Sequence, residues 1–285
     1  MHCTRHSDPA AFLALARPWL ERDPVVNNIV TVNVQMRLDG PLPGEDPPLL
    51  ISVAGPDGDL VGVALRTPPR SLLLAGVPAE VGVIVAEYLA GLRDAGLPVA
   101  DLPGVVGPVG GAEPFARRWS ELTGTTGTVD MRQRGFRLDR VTPPVGVPGR
   151  FRLATESDLD RCVDWMTAFR AEALPSEPTI TRDHVARIVG DGRLALWDDS
   201  ERPVSMVGRG IEASGIVRIG PVYTPPELRG HGYASACTAE ISRRALQSGA
   251  VACTLTTDLA NPTSNALYQR IGYYPIGDAV SVRFE

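Results

Sequence analysis

Residues 229–234 read Arg-Gly-His-Gly-Tyr-Ala, between an apolar run, "GIVRIGPVYT", and a small-residue run, "YASACTAEISRRA". Glycine reaches positive φ and carries no Cβ, so a ligand can come close to the backbone here. The first amides of a helix have no intrahelical acceptor, and the helix dipole favours negative charge at that end. Gly230, Gly232, Tyr233 and Ala234 therefore offer donors to an anion, with Arg229 as a nearby cation and His231 at the flank of the turn. The chemistry suggested is phosphate or diphosphate binding. The plainer alternative is a left-handed turn that leads into a helix.

A second set lies about thirty residues further on, in "NPTSNALYQRIGYYP". Asn261 suits a helix N-cap, Pro262 the first helical position and Gly272 the residue past the end, which predicts a helix over 262–271. Asn261, Ser264 and Tyr268 then share one face, with Leu267 and Ile271 on an adjacent apolar stripe. An amide, a hydroxyl and a phenol beside a buried stripe make a groove wall. The competing reading is an amphipathic core tyrosine with its hydroxyl in water.

The anion could belong to several ligands. A Walker A loop requires a lysine after its last glycine, and none is present. A dinucleotide fingerprint requires a third glycine where Ser235 stands; Asp258 does close the next strand, but too little chain follows it for a doubly wound sheet. "RGHGYA" matches R-x-x-G-x-[GA], the diphosphate signature of the GNAT N-acetyltransferase superfamily, and the second segment resembles that family's N-x-x-[AS]-x-x-L-Y-x-x-x-G-[FY]. The resemblance covers the second half of the chain. It implies acetyl-CoA as cosubstrate, with no metal, gripped by Arg229, Gly230, His231, Gly232, Tyr233, Ala234 and Ser235. It further implies that Asn261 and Ser264 hold the pantetheine arm or its surroundings. Tyr268 would protonate the departing thiolate, and the backbone of Val222, Tyr223 and Thr224, on a strand that splays from its neighbour, would pair with the pantetheine. Pro221, lacking an N–H, fits a strand that is losing a partner.

The acceptor implied is a primary amine on a small molecule or a peptide. Its base is not legible. Glu212, at the end of the preceding strand, is the nearest acidic candidate and Glu172 another; a water chain could also serve. Trp165, Phe169 and Glu172, with the stretch "EALPSEPTI", form an aromatic and acidic acceptor pocket or else simply belong to the core. Two other classes stay open: a non-catalytic acyl-CoA sensor or scaffold, and a nicotinamide-dependent oxidoreductase.

The elements that must position these residues recur. After the Pro/Gly-rich stretch 139–150, a strand "RFRLAT", a helix capped by Thr155 and a second helix over 182–189 precede three strands, the glycine turn, a helix, a strand, the Tyr268 helix and one or two closing strands. The first half repeats this order, opening on "SDPAAFLALARPWL" and "DPVVNNIVTVNVQM", which both carry cap-then-proline signals. Where the second half has "PPELRGHGYA", the first has "VPAEVGVIVA", without the cradle. The expected fold class is α/β (α+β), two GNAT-like domains with mixed, mostly antiparallel sheets flanked by helices and a splayed central strand in the second. The expected division is a degenerate domain over 1–138 with no cofactor site, a linker over 139–150 and a catalytic domain over 151–285.

A 285-residue chain that is 44% hydrophobic supports two cores. Its net charge of -5 argues against a nucleic-acid partner. Four scattered cysteines and four histidines show no metal-ligand spacing and read as isolated residues in a reducing compartment. The opening residues are too charged for a signal peptide, and no run approaches a membrane span. The expectation is a cytoplasmic monomer or homodimer with no membrane partner.

Overall fold

A computed structural model describes residues 1–38, 42, 45–97, 102–176 and 179–285. They divide into two compact units, one of 1–135, 256–260 and 276–285, the other of 136–255 and 261–275.

In chain order the first ten elements are β1 (His2–His6), α1 (Pro9–Leu20), α2 (Asn28–Gln35), β2 (Leu49–Ala54), β3 (Leu60–Arg66), β4 (Leu72–Leu74), α3 (Ala79–Asp94), β5 (Gly104–Pro108), α4 (Val109–Thr123) and β6 (Gly127–Leu138). The next ten are β7 (Arg150–Leu153), α5 (Leu159–Ala173), α6 (Arg182–Gly190), β8 (Leu194–Asp199), β9 (Arg202–Ala213), β10 (Ile216–Tyr223), α7 (Tyr233–Gln247), β11 (Ala252–Asp258), α8 (Pro262–Arg270) and β12 (Tyr274–Phe284). The order strand, two helices, three strands, helix, strand, helix, strand thus occurs twice. Both sets of strands are mixed and mostly antiparallel. In the first unit β1, β2, β3 and β4 pair antiparallel in succession, β4 pairs parallel with β5, and β5 pairs antiparallel with β12. In the second, β7, β8, β9 and β10 pair antiparallel and β10 pairs parallel with β11.

The structure differs from the sequence reading in several places. The last ten residues, Ile276–Glu285, lie with the first unit, where Phe284 packs on Phe115 and Trp119. Residues 139–150 lie within the second unit rather than between bodies. There Thr142 N donates to Ile271 O, and Pro148 O accepts from the Trp197 indole. Asp8 caps α1 as its sequence indicates, but Asp23-Pro24 opens a turn closed by Val26 N on Asp23 Oδ1, and α2 begins only at Asn28. Thr155 forms a capping box with Asp158, yet the turn it caps is a short 3₁₀ turn ahead of α5. β1 has no apolar run to announce it and was not expected. Of "EALPSEPTI", Glu177 and Pro178 lie outside the described residues.

Alternation along the second unit's strands builds two cores on opposite faces. Ala195 and Val207 pack with Cys237 and Ile241 of α7 and Tyr268 of α8. Leu194, Leu196 and Met206 pack with Cys162 and Met166 of α5 and Val185 of α6. The first unit has one cluster, in which Phe12, Ile51, Leu65, Val85, Phe115 and Trp119 are fully or almost fully buried.

The helices that follow the parallel strands behave differently in the two units. In the first, α3 and α4 pack against each other along their length. Two glycines permit this. A Cβ at Gly82 would overlap the Gly111 carbonyl, and one at Gly111 would lie 2.8 Å from Val77 O. In the second unit α7 and α8 form no comparable contact. Gly82→Ala is therefore expected to cost about 1–3 kcal/mol, because the backbone it meets has no side chain to move aside. Denaturant unfolding of the full chain measures this; an unchanged midpoint would contradict the close packing.

Candidate active site

β10 and β11 pair through only three positions, Ile216 with Ala252, Val217 with Cys253 and Arg218 with Thr254. Beyond Arg218, β10 keeps its β9 partner as far as Tyr223 opposite Met206, but has no β11 partner. Its register on β9 shifts between Val217 and Ile219 and again between Ile219 and Val222, around Pro221. A strand that retains one neighbour and loses the other leaves backbone donors and acceptors unpaired along one edge. The splay expected in the second half is present, and it begins at Arg218. Because the two strands run parallel, the segments after them emerge at the same end of the pair, the place where open α/β sheets leave a crevice.

After β10 the chain turns through Pro225 and Pro226 into the glycine turn. Gly230 and Gly232 take φ of 85° and 82°, values only glycine reaches readily. Gly232 is the N-cap of α7 and supplies no side-chain cap. The first helical bond is Ala236 N to Gly232 O at 3.0 Å, and among the described residues no amide from Gly230 to Ser235 donates to a protein acceptor. Those amides stand at the positive end of a fifteen-residue helix. Donor set, charge and lack of side-chain bulk all fit a diphosphate. The α3 counterpart in the first unit starts on Pro78 instead, and its first turn approaches Gly111 of α4.

Side chains outside the turn brace it. The Tyr233 hydroxyl donates to Asp199 Oδ2 at 2.6 Å, and the His231 ring stacks on Tyr233 with centroids 5.5 Å apart. His231 Nδ1 lies 3.3 Å from Leu228 O, so the residue is tied to its own turn. Ser205 holds the end of β10, its hydroxyl 3.2 Å from Tyr223 O and 2.9 Å from Thr224 Oγ1. Val147 covers Gly232, where a Cβ would meet Val147 Cγ2 at 3.0 Å. Sequence reasoning found none of Asp199, Ser205 or Val147. They lie 18 or more residues from their partners and belong to no motif.

On α8, Asn261 Oδ1 accepts from Ser264 N at 3.0 Å, the cap read from the sequence. Asn261 is exposed, Ser264 half-buried and Tyr268 9% exposed, so the face they share runs from solvent to core. The Tyr268 ring packs on Phe136 and Tyr273, and burial pushes its phenol up to about 12. Tyr268 thus keeps its proton at any ordinary pH, as a general acid requires. Glu212 is exposed on β9 opposite Val217, one residue before β10 and β11 part. Trp165 and Phe169 pack against the α5–α6 core, and Trp165 also meets Tyr223 with ring centroids 6.2 Å apart. Glu172 accepts from the Tyr223 hydroxyl at 3.3 Å and pairs with Arg229 at 2.6 Å. Among the described residues there is no cluster of three or more potential metal ligands, and no helix is long and apolar enough to cross a membrane.

Residues 159–273 match the model of a family described as the acetyltransferase (GNAT) family. No curated protein matches the chain in sequence. Among solved structures, a GCN5-related N-acetyltransferase from Sphaerobacter thermophilus is 18% identical with a TM-score of 0.60, over 99% of this chain and 95% of that one. A GNAT-family acetyltransferase from Colwellia psychrerythraea is 10% identical with a TM-score of 0.60 over the full length of both. A GCN5-related N-acetyltransferase from Kribbella flavida is 17% identical, covering 91% of this chain and 95% of that one with a TM-score of 0.59. At such identities the likeness is one of fold, and it extends over both halves.

The positive φ at Gly232 and the overlying Val147 together make Gly232→Ala costly, by about 1–2 kcal/mol from the left-handed backbone alone. Thermal unfolding checks this, and an unaltered melting temperature would show that the turn relaxes freely.

Proposed function

We propose, for a chain whose residues 159–273 match the acetyltransferase (GNAT) family model, that the second unit moves an acetyl group from acetyl-CoA to a primary amine by direct attack. The observation that carries the reading is the conjunction of a splayed β10 edge with six unpaired amides at the mouth of α7. The amides of 230–235 and the charge of Arg229 would hold the diphosphate. Backbone groups of Val222, Tyr223 and Thr224 would pair with the pantetheine arm, with Asn261 and Ser264 beside it.

Bound acetyl-CoA would supply an activated thioester. A backbone N–H of the β10 edge would stabilise the charge that develops on the acetyl carbonyl oxygen as the amine nitrogen attacks. Tyr268 would give its proton to the sulfur as the C–S bond breaks. The amine's own proton would leave to Glu212, which stands beside the point where the strands part, or to water. Trp165, Phe169 and Glu172 would contribute to the acceptor pocket. The first unit would carry no cofactor, since α3 starts on Pro78 with no glycine turn before it and its first turn packs against Gly111 of α4.

The test is CoA-thiol release from acetyl-CoA by the purified chain over a panel of small and peptide amines, paired with thermal shifts by acetyl-CoA and by NAD(P). Release with some amine and a shift by acetyl-CoA alone support the transferase. A shift by acetyl-CoA with no release under any amine favours a sensor, and a shift by NAD(P) alone favours an oxidoreductase. Tyr268→Phe is expected to lower kcat by about 10²-fold or more while leaving the KM for acetyl-CoA nearly unchanged. With its phenol raised to about 12, the wild-type enzyme should keep its acid throughout the range in which the amine loses its proton, so Tyr268 contributes no alkaline limb below that value. Full activity of the variant would remove Tyr268 from the mechanism.

A further inference from the structure

Arg229, the cation of the glycine turn, is held by three neighbours. Its Nη2 donates to Glu172 Oε2 at 2.6 Å, its Nε donates to Thr224 O at 2.9 Å, and its guanidinium lies over the Tyr223 ring, 5.9 Å from the centroid. Glu172 belongs to the last turn of α5 and is 57 residues from Arg229 in sequence. Its other oxygen accepts from the Tyr223 hydroxyl at 3.3 Å. The ion pair therefore ties the turn that would hold the donor to the helix that would line the acceptor side.

The pair is built to open. Arg229 and Glu172 side chains are 49% and 46% exposed, and an exposed pair of this kind is weak and screened by salt. The Nε bond to Thr224 O and the ring beneath anchor the guanidinium close to the turn whichever anion its outer nitrogen meets. A diphosphate presents several oxygens and more than one charge, and guanidinium groups bind such anions through paired, charge-assisted hydrogen bonds. One half-exposed carboxylate is the weaker competitor.

We propose that Glu172 is a positioning residue that acts through Arg229. It holds the guanidinium while the donor site is free, and gives it up to the diphosphate when the donor binds. The ion pair is a latch between α5 and the glycine turn that donor binding opens, and it leaves Glu172 hydrogen-bonded to Tyr223 alone. This inference rests on the acetyl-CoA reading above. It sets the sign of a mutational effect: removing the charge of Glu172 strengthens donor binding, because Arg229 no longer has to be drawn away.

The experiment is calorimetric titration of acetyl-CoA into the full chain as wild type, Glu172→Gln, Arg229→Gln and the double variant. Glu172→Gln is expected to bind acetyl-CoA about two- to fivefold more tightly than wild type, the range an exposed ion pair can supply. Arg229→Gln is expected to bind more weakly, and the gain from Glu172→Gln should vanish in its background, the non-additivity expected when Glu172 acts through Arg229. The gain should also shrink as salt rises. A purely structural Glu172 would give unchanged or weaker binding on substitution, and either result overturns the latch, as does an equal gain with Arg229 absent. Failure of the wild type to bind acetyl-CoA would instead bring down the donor reading itself, and the latch with it.

Discussion

Backbone hydrogen bonding that the protein leaves incomplete is the constraint on which the rest of the second unit depends. Three pairings join β10 to β11, and then the strands part. Buried backbone groups in folded proteins are nearly always paired, so an edge opened inside a sheet is a standing cost unless something else occupies it. The glycine turn compounds this with six amides at a helix mouth that has no capping side chain. Neighbouring residues spend their own bonds on preserving the arrangement: Asp199 on Tyr233, Ser205 on the end of β10, Val147 over Gly232. An extended, amide-rich arm that ends in a diphosphate complements both openings at once.

The first unit has the same order of elements and resolves the same constraint differently. Its β4 is three residues long, and a Cβ at Gly107 would lie 2.8 Å from Leu74 O, so the parallel strands stay close to the end of β4. Gly82 and Gly111 then let α3 and α4 approach within backbone contact. Gly82 and Gly111 bring backbone against backbone in the first unit, whereas Gly230 and Gly232 of the second take a left-handed turn ahead of α7. The residue type is the same; in one place it admits a neighbouring backbone, in the other it turns the chain and leaves the helix mouth without a capping side chain.

Features carried by neighbours in sequence were legible. The Asn261 cap, the Gly230 and Gly232 turn, the Asp8 cap and the boundaries of α8 each follow from residues within one or two turns of each other. Pro221 hinted at the parting of β10, but its start at Arg218 depends on which strand lies alongside. Features set by distant partners were not legible. Gly82 and Gly111 read as ordinary helix residues until they meet; Glu172 reads as a candidate base or pocket acid, with nothing in the sequence to link it to Arg229, until α5 brings the two together. The Asp23-Pro24 signal misled because a cap with proline serves a turn as well as a helix, and Asp23 closed the turn. β1 was missed because its side chains are mostly polar and its pairing with β2 alone makes it a strand. Residues 139–150 have the composition of a linker, yet hydrogen bonds at Thr142 and Pro148 fix them within the second unit.

The claim that the protein keeps a set of backbone amides for a diphosphate is tested most directly by following those amides. In a backbone-assigned NMR spectrum of the full chain, addition of coenzyme A should shift the amide resonances of Gly230, His231, Gly232, Tyr233, Ala234 and Ser235 well beyond the rest of α7. The amides at the start of α3, Ala79, Glu80 and Val81, should stay in place. Resonances of 230–235 that remain unmoved at saturating coenzyme A, or that move no more than those of α3, would contradict the account.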